Sequence, residues 1–250
     1  MKFYILVIVA IVASMFMVAP VWAGNDGDVI PFSIARIIIE FNASAEDVGI
    51  QVLVDGEPWK HLRVFSPNGR RVLDITGKRS LGKQGLTELF FESSEPSLVE
   101  LPLPKFLARF PEGKYELEGE TIDGIELEGT AVLSHVIPAG PEITLPVSLD
   151  DNPPVVDPSN FLIEWDPVTE TIAGLVNLEI IGYQVIVEQV EPRRIFSIDL
   201  PASVTSVQVP PEFFLQANTL HKFEVLAIEV LAIEASGNQT ITEGEFVTFP

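Results

Sequence analysis

The chain contains no cysteine. That excludes structural disulfides, thiolate metal sites, thiol nucleophiles and lipid attachment through an N-terminal cysteine. Basic residues are scarce: 15 Lys and Arg stand against 36 Asp and Glu, for a net charge of −21. Phosphate backbones need clustered cations, so nucleic acid is excluded as a partner. The 3 histidines, His61, His135 and His221, lie far apart in sequence, and each reads as a strand-end or core residue. No nucleophile elbow, phosphate loop or His-Glu-x-x-His motif occurs, which argues against an enzyme. A hydrolase with dispersed catalytic residues is the catalytic alternative left open. No apolar run reaches the roughly 20 residues that span a bilayer.

The longest such run, Ile5 to Val18, follows Lys2 and leads to Val21-Trp22-Ala23 before Gly24-Asn25 and the acidic Asp26. One positive charge, a short apolar core and small residues at −3 and −1 describe a signal peptide over 1–23, cleaved after Ala23. A membrane anchor is the alternative, and the run is short for one. The expected location is secreted, periplasmic or cell-surface, with no membrane span after cleavage. Export without disulfides leans towards a bacterial source.

Charge divides the remainder. Residues 24–137 carry 11 basic and 19 acidic side chains, and 138–250 carry 3 and 17. Two domains, 24–137 and 153–250, are expected, joined by a Pro-rich linker over 138–152. Six prolines between Ile137 and Pro158 make that linker a semi-rigid spacer, with a short strand around Ile143-Thr-Leu.

The first half reads as strand and turn. Ile34–Phe41 is β-branched and apolar, a strand buried over most of its length; Gly49–Asp55 is a second. His61–Phe65 and Arg71–Ile75 flank Ser66-Pro67-Asn68-Gly69, a hairpin turn. Leu86–Phe91 adds another strand, and Pro104–Phe110 a single short helix with Pro at its start. Lys114–Glu120 and Ile125–Gly129 flank Thr121-Ile122-Asp123-Gly124. A two-residue loop would put glutamate and leucine on one face. A three-residue loop with Gly124 left-handed pairs 120 with 126 and 118 with 128, sending Leu117 and Leu127 inward together. The alternation selects the three-residue loop.

In the second half, Phe161-Leu-Ile163-Glu-Trp165 and Ile181-Gly-Tyr183-Gln-Val185-Ile-Val187 alternate, with Trp165 and Tyr183 as the large inward side chains. With Leu200-Pro201, Thr205-Ser-Val207 and Thr219–Ala227, these residues resemble the fibronectin type III domain over about 153–249, matching its B, C, E and F strands. The resemblance implies a β-sandwich and no particular activity. His221 stands where that family usually has a corner tyrosine. Val225-Leu-Ala-Ile-Glu229 is repeated at once as Val230–Glu234, and an odd repeat cannot keep one face of one regular strand. The second copy is expected to be a bulge or apolar loop: a partner site, an aggregation liability, or a tolerated duplication.

The densest carboxylate group is the outward strip Glu116, Glu118, Glu120, Glu126 and Glu128, a candidate calcium site whose like charges a hard cation would relieve. Glu40, Asn42 and Asp47 in one loop, and Asp150, Asp151 and Asn152, are further candidate oxygens. Lys60, Arg63, Arg70, Arg71, Lys78, Arg79 and Lys83 gather in 24 positions and could dock the acidic second domain or an anionic polymer. Partner-binding candidates are Lys60, Arg63, Arg70, Arg71, Val230, Leu231 and Ile233. Trp59 alone remains for sugar stacking, and Asn42 and Asn238 begin glycosylation sequons.

The expectation is an all-β protein of two tandem β-sandwich domains, immunoglobulin-like then fibronectin type III-like, after a signal peptide. It would be a non-catalytic extracellular interaction or structural module whose partner is an extracellular protein or cell-envelope polymer. The alternative is a calcium- or glycan-binding accessory protein at the cell surface; no other cofactor is indicated.

Overall fold

The structure, a computed structural model, describes residues 29–147, 152–175, 178–189, 192–214, 220–229 and 237–248, the stretch 220–229 through its backbone alone. The expected signal peptide, Asp150, Asp151 and the candidates Val230, Leu231 and Ile233 lie outside the described residues. No helix among the described residues is long and apolar enough to cross a membrane.

The N-terminal half runs β1 (Ile30–Pro31), β2 (Ile34–Asn42), β3 (Asp47–Phe65), β4 (Arg71–Thr76), α1 (Arg79–Gln84), β5 (Leu86–Glu92), α2 (Leu103–Arg109), β6 (Gly113–Thr121) and β7 (Glu126–Leu133). β3 organises it. Its first part pairs with β2 and β5, its second part with β6 and β4, and the register shifts between Asp55 and Trp59. The two strands expected at 49–55 and 61–65 are therefore one. Gly56 and Pro58 bend it rather than end it, as such residues do at bulges. The bend lets β2 and β7 lie against each other without pairing, and their inner faces enclose a core that includes Ile39, Trp59, Leu62, Leu117, Leu127 and Leu133.

The β6–β7 hairpin has the expected three-residue loop: Glu118 pairs with Glu128 and Glu120 with Glu126. Leu117 and Leu127 are buried, and Gly124 holds φ +86°. An L side chain pays for that left-handed conformation. Gly124→Ala is expected to cost about 1 kcal/mol in chemical unfolding, with no change in structure away from the turn. A neutral substitution would mean that the turn can reform as another type.

The C-terminal half runs β8 (Ile143–Leu145), β9 (Val155–Val156), β10 (Leu162–Trp165), β11 (Ile180–Gln189), β12 (Arg194–Pro201), β13 (Ser206–Gln208), β14 (Leu220–Glu229) and β15 (Gln239–Thr248). β8, β10 and β13 make one sheet, and β12, β11, β14 and β15 lie side by side in the other. The strands likened to B and E share the first, those likened to C and F the second, a fibronectin type III-like arrangement. Trp165 and Tyr183 are buried between the sheets with ring centroids 5.3 Å apart, edge to face. The Tyr183 hydroxyl accepts the Val168 N–H at 2.9 Å. Leu200-Pro201, grouped with the E strand from sequence, instead closes β12, an edge strand paired with β11. The His221 side chain lies outside the described residues.

The two halves are joined by main-chain pairing. β15 runs parallel to β2, with Gln239 opposite Glu40, Thr240 opposite Phe41 and Ile241 opposite Asn42. The large sheet is therefore continuous across the chain. Ile37-Ile38-Ile39 of β2 reads as an unbroken apolar run and is buried on both faces. The proline-rich stretch takes part in the joint. Pro138 bridges to Thr171, the Ala139 N–H donates to Glu170 O at 2.9 Å, and β8 pairs with β10. Prolines sit where no ladder N–H is needed, and the residues between them supply the bonds.

Candidate functional site

One group of side chains lies on the outer face of the N-terminal half. β3 brings Lys60, His61 and Arg63 beside Asp74 of β4 and Glu120 of β6, and the 77–82 backbone closes one end of an open groove of about 450 Å³. Lys60 Nζ lies 2.7 Å from Glu120 Oε1, and Arg71 Nη1 lies 2.7 Å from Asp74 Oδ2. His61 Nε2 lies 3.0 Å from Asp74 Oδ1. The hydrogen bond from His61, with Arg71 and Arg63 nearby, holds the Asp74 carboxyl below its usual range. Arg63 differs: its Nε is shielded from solvent and has no hydrogen-bond partner. A guanidinium N–H withheld from water without an acceptor is energetically unsatisfied, and an oxyanion is the group that satisfies it.

Of the expected basic residues, Lys60 and Arg63 line this groove, Arg71 braces Asp74, and Arg70 is exposed at the β3–β4 turn. The described ion pairs of this cluster all stay within the N-terminal half. Glu116, Glu118, Glu126 and Glu128 are exposed beside the groove, with Glu120 half-buried. Their carboxylates do not converge in threes within 4.8 Å as those below do. Trp59 is completely buried, which removes the one tryptophan considered for sugar stacking.

A second group lies at the joint. Oxygens of Glu40, Glu92 and Glu95 come within 4.8 Å of one another. Glu40 is 4% exposed, placed in β2 directly opposite Gln239 of β15. The Gln239 amide donates to Glu40 Oε2 and, at 3.2 Å, to Gln51 Oε1; Gln51 Nε2 in turn donates to Glu92 Oε1 at 3.2 Å. The Glu95 side chain is folded over Gly49, where a Cβ would meet its Cγ at 2.8 Å. Asp47, half-buried at the start of β3, has Oδ1 shielded without a partner. Glu243 of β15 completes the acidic surroundings, and among the described residues none of these five carboxyls has an ion-pair partner.

Two unit charges about 4.8 Å apart repel by about 3.5 kcal/mol at an effective dielectric of about 20. Three such groups cannot all ionise cheaply, and burial adds to the cost. Burial, then Glu92, holds the Glu40 carboxyl well above the usual carboxylate range. Glu95 as a residue is exposed, yet partial burial of its carboxyl and the charge of Glu92 and Asp47 push it up to about 8. Burial, Glu243 and Glu92 also raise Asp47. Sequence singled out Glu40 and Asp47 and missed Glu92, Glu95, Glu243 and Gln239. The available signal was a lone carboxylate inside Ile37-Ile-Ile-Glu-Phe41; its partners lie some 50 and 200 residues away, where no local spacing reveals them.

No protein-family model matches the chain, and no curated protein sequence does. Solved structures that overlap it include the FN1–FN3 domains of chicken CNTN1, at 12% identity and TM-score 0.29, over 89% of this chain and 67% of that one. A two-domain fibronectin type III segment of chicken tenascin overlaps at 11% identity and TM-score 0.29, over 87% and 99%. A tetra-tandem repeat from the extending region of a large adhesion protein overlaps at 10% and 0.30, over 87% of this chain and 50% of that one. TM-scores near 0.3 do not equate folds. The strand order described above is what defines this one.

Proposed function

We propose that this protein is a non-catalytic extracellular interaction module whose N-terminal half engages an anionic cell-envelope polymer through the groove between β3, β4 and β6. The sheltered, unbonded Arg63 Nε carries this reading, because it is a donor built into a surface groove with no internal acceptor. Lys60 stands next to it, and its partly exposed pair with Glu120 is weak enough to be exchanged for a ligand oxyanion. The joint supports the reading by tying the second half to the first through main-chain pairing rather than through a linker alone.

Titration of the full chain with polyglycerol phosphate at low ionic strength is expected to give saturable, salt-sensitive binding. Lys60→Ala with Arg63→Ala should weaken it about tenfold, equivalent to about 1.4 kcal/mol, whereas Arg70→Ala should change it less. Binding that is absent, or equal in all variants, would dismiss the groove.

A further inference from the structure

We propose that the joint between the two halves is a proton-operated lock: the β2–β15 pair is held closed when Glu40 and Glu95, set beside Glu92, keep their protons and loosens when they ionise. The geometry places the group at the seam. Glu40 belongs to the N-terminal half, and its bonded partner Gln239 is the first residue of β15. The Gln239 amide has two hydrogens and uses them on Glu40 and Gln51, so a single side chain from the C-terminal half closes the network. Among the described residues the titratable groups that act on it are acidic: Asp47 from β3, Glu92 from β5, Glu95 from the segment after β5, and Glu243 from β15 itself; Arg36, further along the same face of β2, is in none of the described ion pairs. No cation compensates them among the described ion pairs. Of these carboxyls only Glu243 lies across the seam, so separating the strands relieves the group chiefly by admitting water to the buried Glu40 rather than by parting like charges.

The direction of the pH dependence follows. Carboxyls held above their usual value near 4.5 bind protons more tightly in the closed state than in the open one. Their contribution to closure is fully present below about pH 4.5 and is lost as pH rises towards about 8. Acidification thus tightens this joint, the reverse of a joint held by salt-bridged carboxylates.

The chain has no cysteine, so spin labels can be placed at will. Thr130→Cys on β7 and Ser197→Cys on β12 are exposed and lie in opposite halves. Electron double resonance on the full chain, with chelator present throughout, is expected to give one narrow distance at pH 5.5 and a broadened distribution at pH 8.5. Glu95→Gln, on an exposed residue, should keep the distribution narrow at both values; Glu40→Gln should do the same. Amide exchange at Ile39 and Ala43, whose N–H groups donate across the seam, gives a second readout. Normalised to the β11–β12 ladder and to intrinsic rates, their protection should fall at least tenfold from pH 5.5 to 8.5 in the native sequence and less in Glu95→Gln. Identical distributions and protection at the two pH values would overturn the proposal. So would a pH effect that the glutamine variants retain in full.

Discussion

Asn238→Ala is expected to lower unfolding free energy by about 3–4 kcal/mol. The Asn238 side chain is completely buried where the chain enters β15. Its Oδ1 accepts the Ile39 N–H at 2.8 Å, and its Nδ2 donates to Val136 O at 2.7 Å, Ser134 O at 3.0 Å and Ser134 Oγ at 3.1 Å. A single residue at the entry to β15 thus satisfies β2 and the segment leaving β7 together. Alanine leaves a donor and several acceptors unsatisfied in a dry site, at about 1–3 kcal/mol for each group that water cannot reach. Asn238→Asp keeps the shape and the acceptor but turns a carboxylate towards three oxygens, so it should be at least as damaging at neutral pH. Urea unfolding checks both. A loss below about 1 kcal/mol for alanine would show that water replaces the amide and that the joint is held elsewhere.

Trp59→Ala is the other large effect, at about 3–5 kcal/mol. Trp59 sits at the bend of β3, fully buried, with its strand paired to Leu86 on one side and Thr121 on the other. Removing the indole opens a cavity where the two parts of β3 diverge, and the backbone there cannot collapse without losing one of its partners. Trp59→Phe separates volume from polarity. The Nε1–H has no hydrogen-bond partner, so phenylalanine deletes an unsatisfied donor along with part of the packing. Its expected cost is about 1–2 kcal/mol by the same unfolding measurement. If alanine and phenylalanine cost the same, the cavity argument fails.

What was legible in the sequence was local. The leucines and glutamates around Gly124 chose one loop length over another, because a one-residue slip would have buried glutamate. The alternation around Trp165 and Tyr183 located the facing strands of the second sandwich, because aromatic side chains of that size need an interior. The continuity of β3 was not legible, since Gly56 and Pro58 serve equally to end a strand or to bend one. Nor was the joint. Nothing around Gln239 announces that it will lie against Glu40, because a parallel pair between remote strands leaves no turn and no spacing to read. The groove was half visible: the run of cations stood out, but which of them would be paired depended on the registry of β4 and β6 against β3.

The parallel pairing of β2 with β15 also sets an order of assembly. The Asn238–Ile39 and Gln239–Glu40 bonds each close over 199 residues. Contacts of such separation form late, because nearly the whole chain must be ordered before they repay its loss of freedom. Until residues 238–241 arrive, β2 offers one open edge of backbone donors and acceptors, flanked by isoleucines and by a carboxyl with no glutamine beside it. A chain made from its N-terminus onward thus holds this edge of β2 bare for most of its synthesis, and the acidic residue in that edge keeps it hydrated until the closing strand covers it.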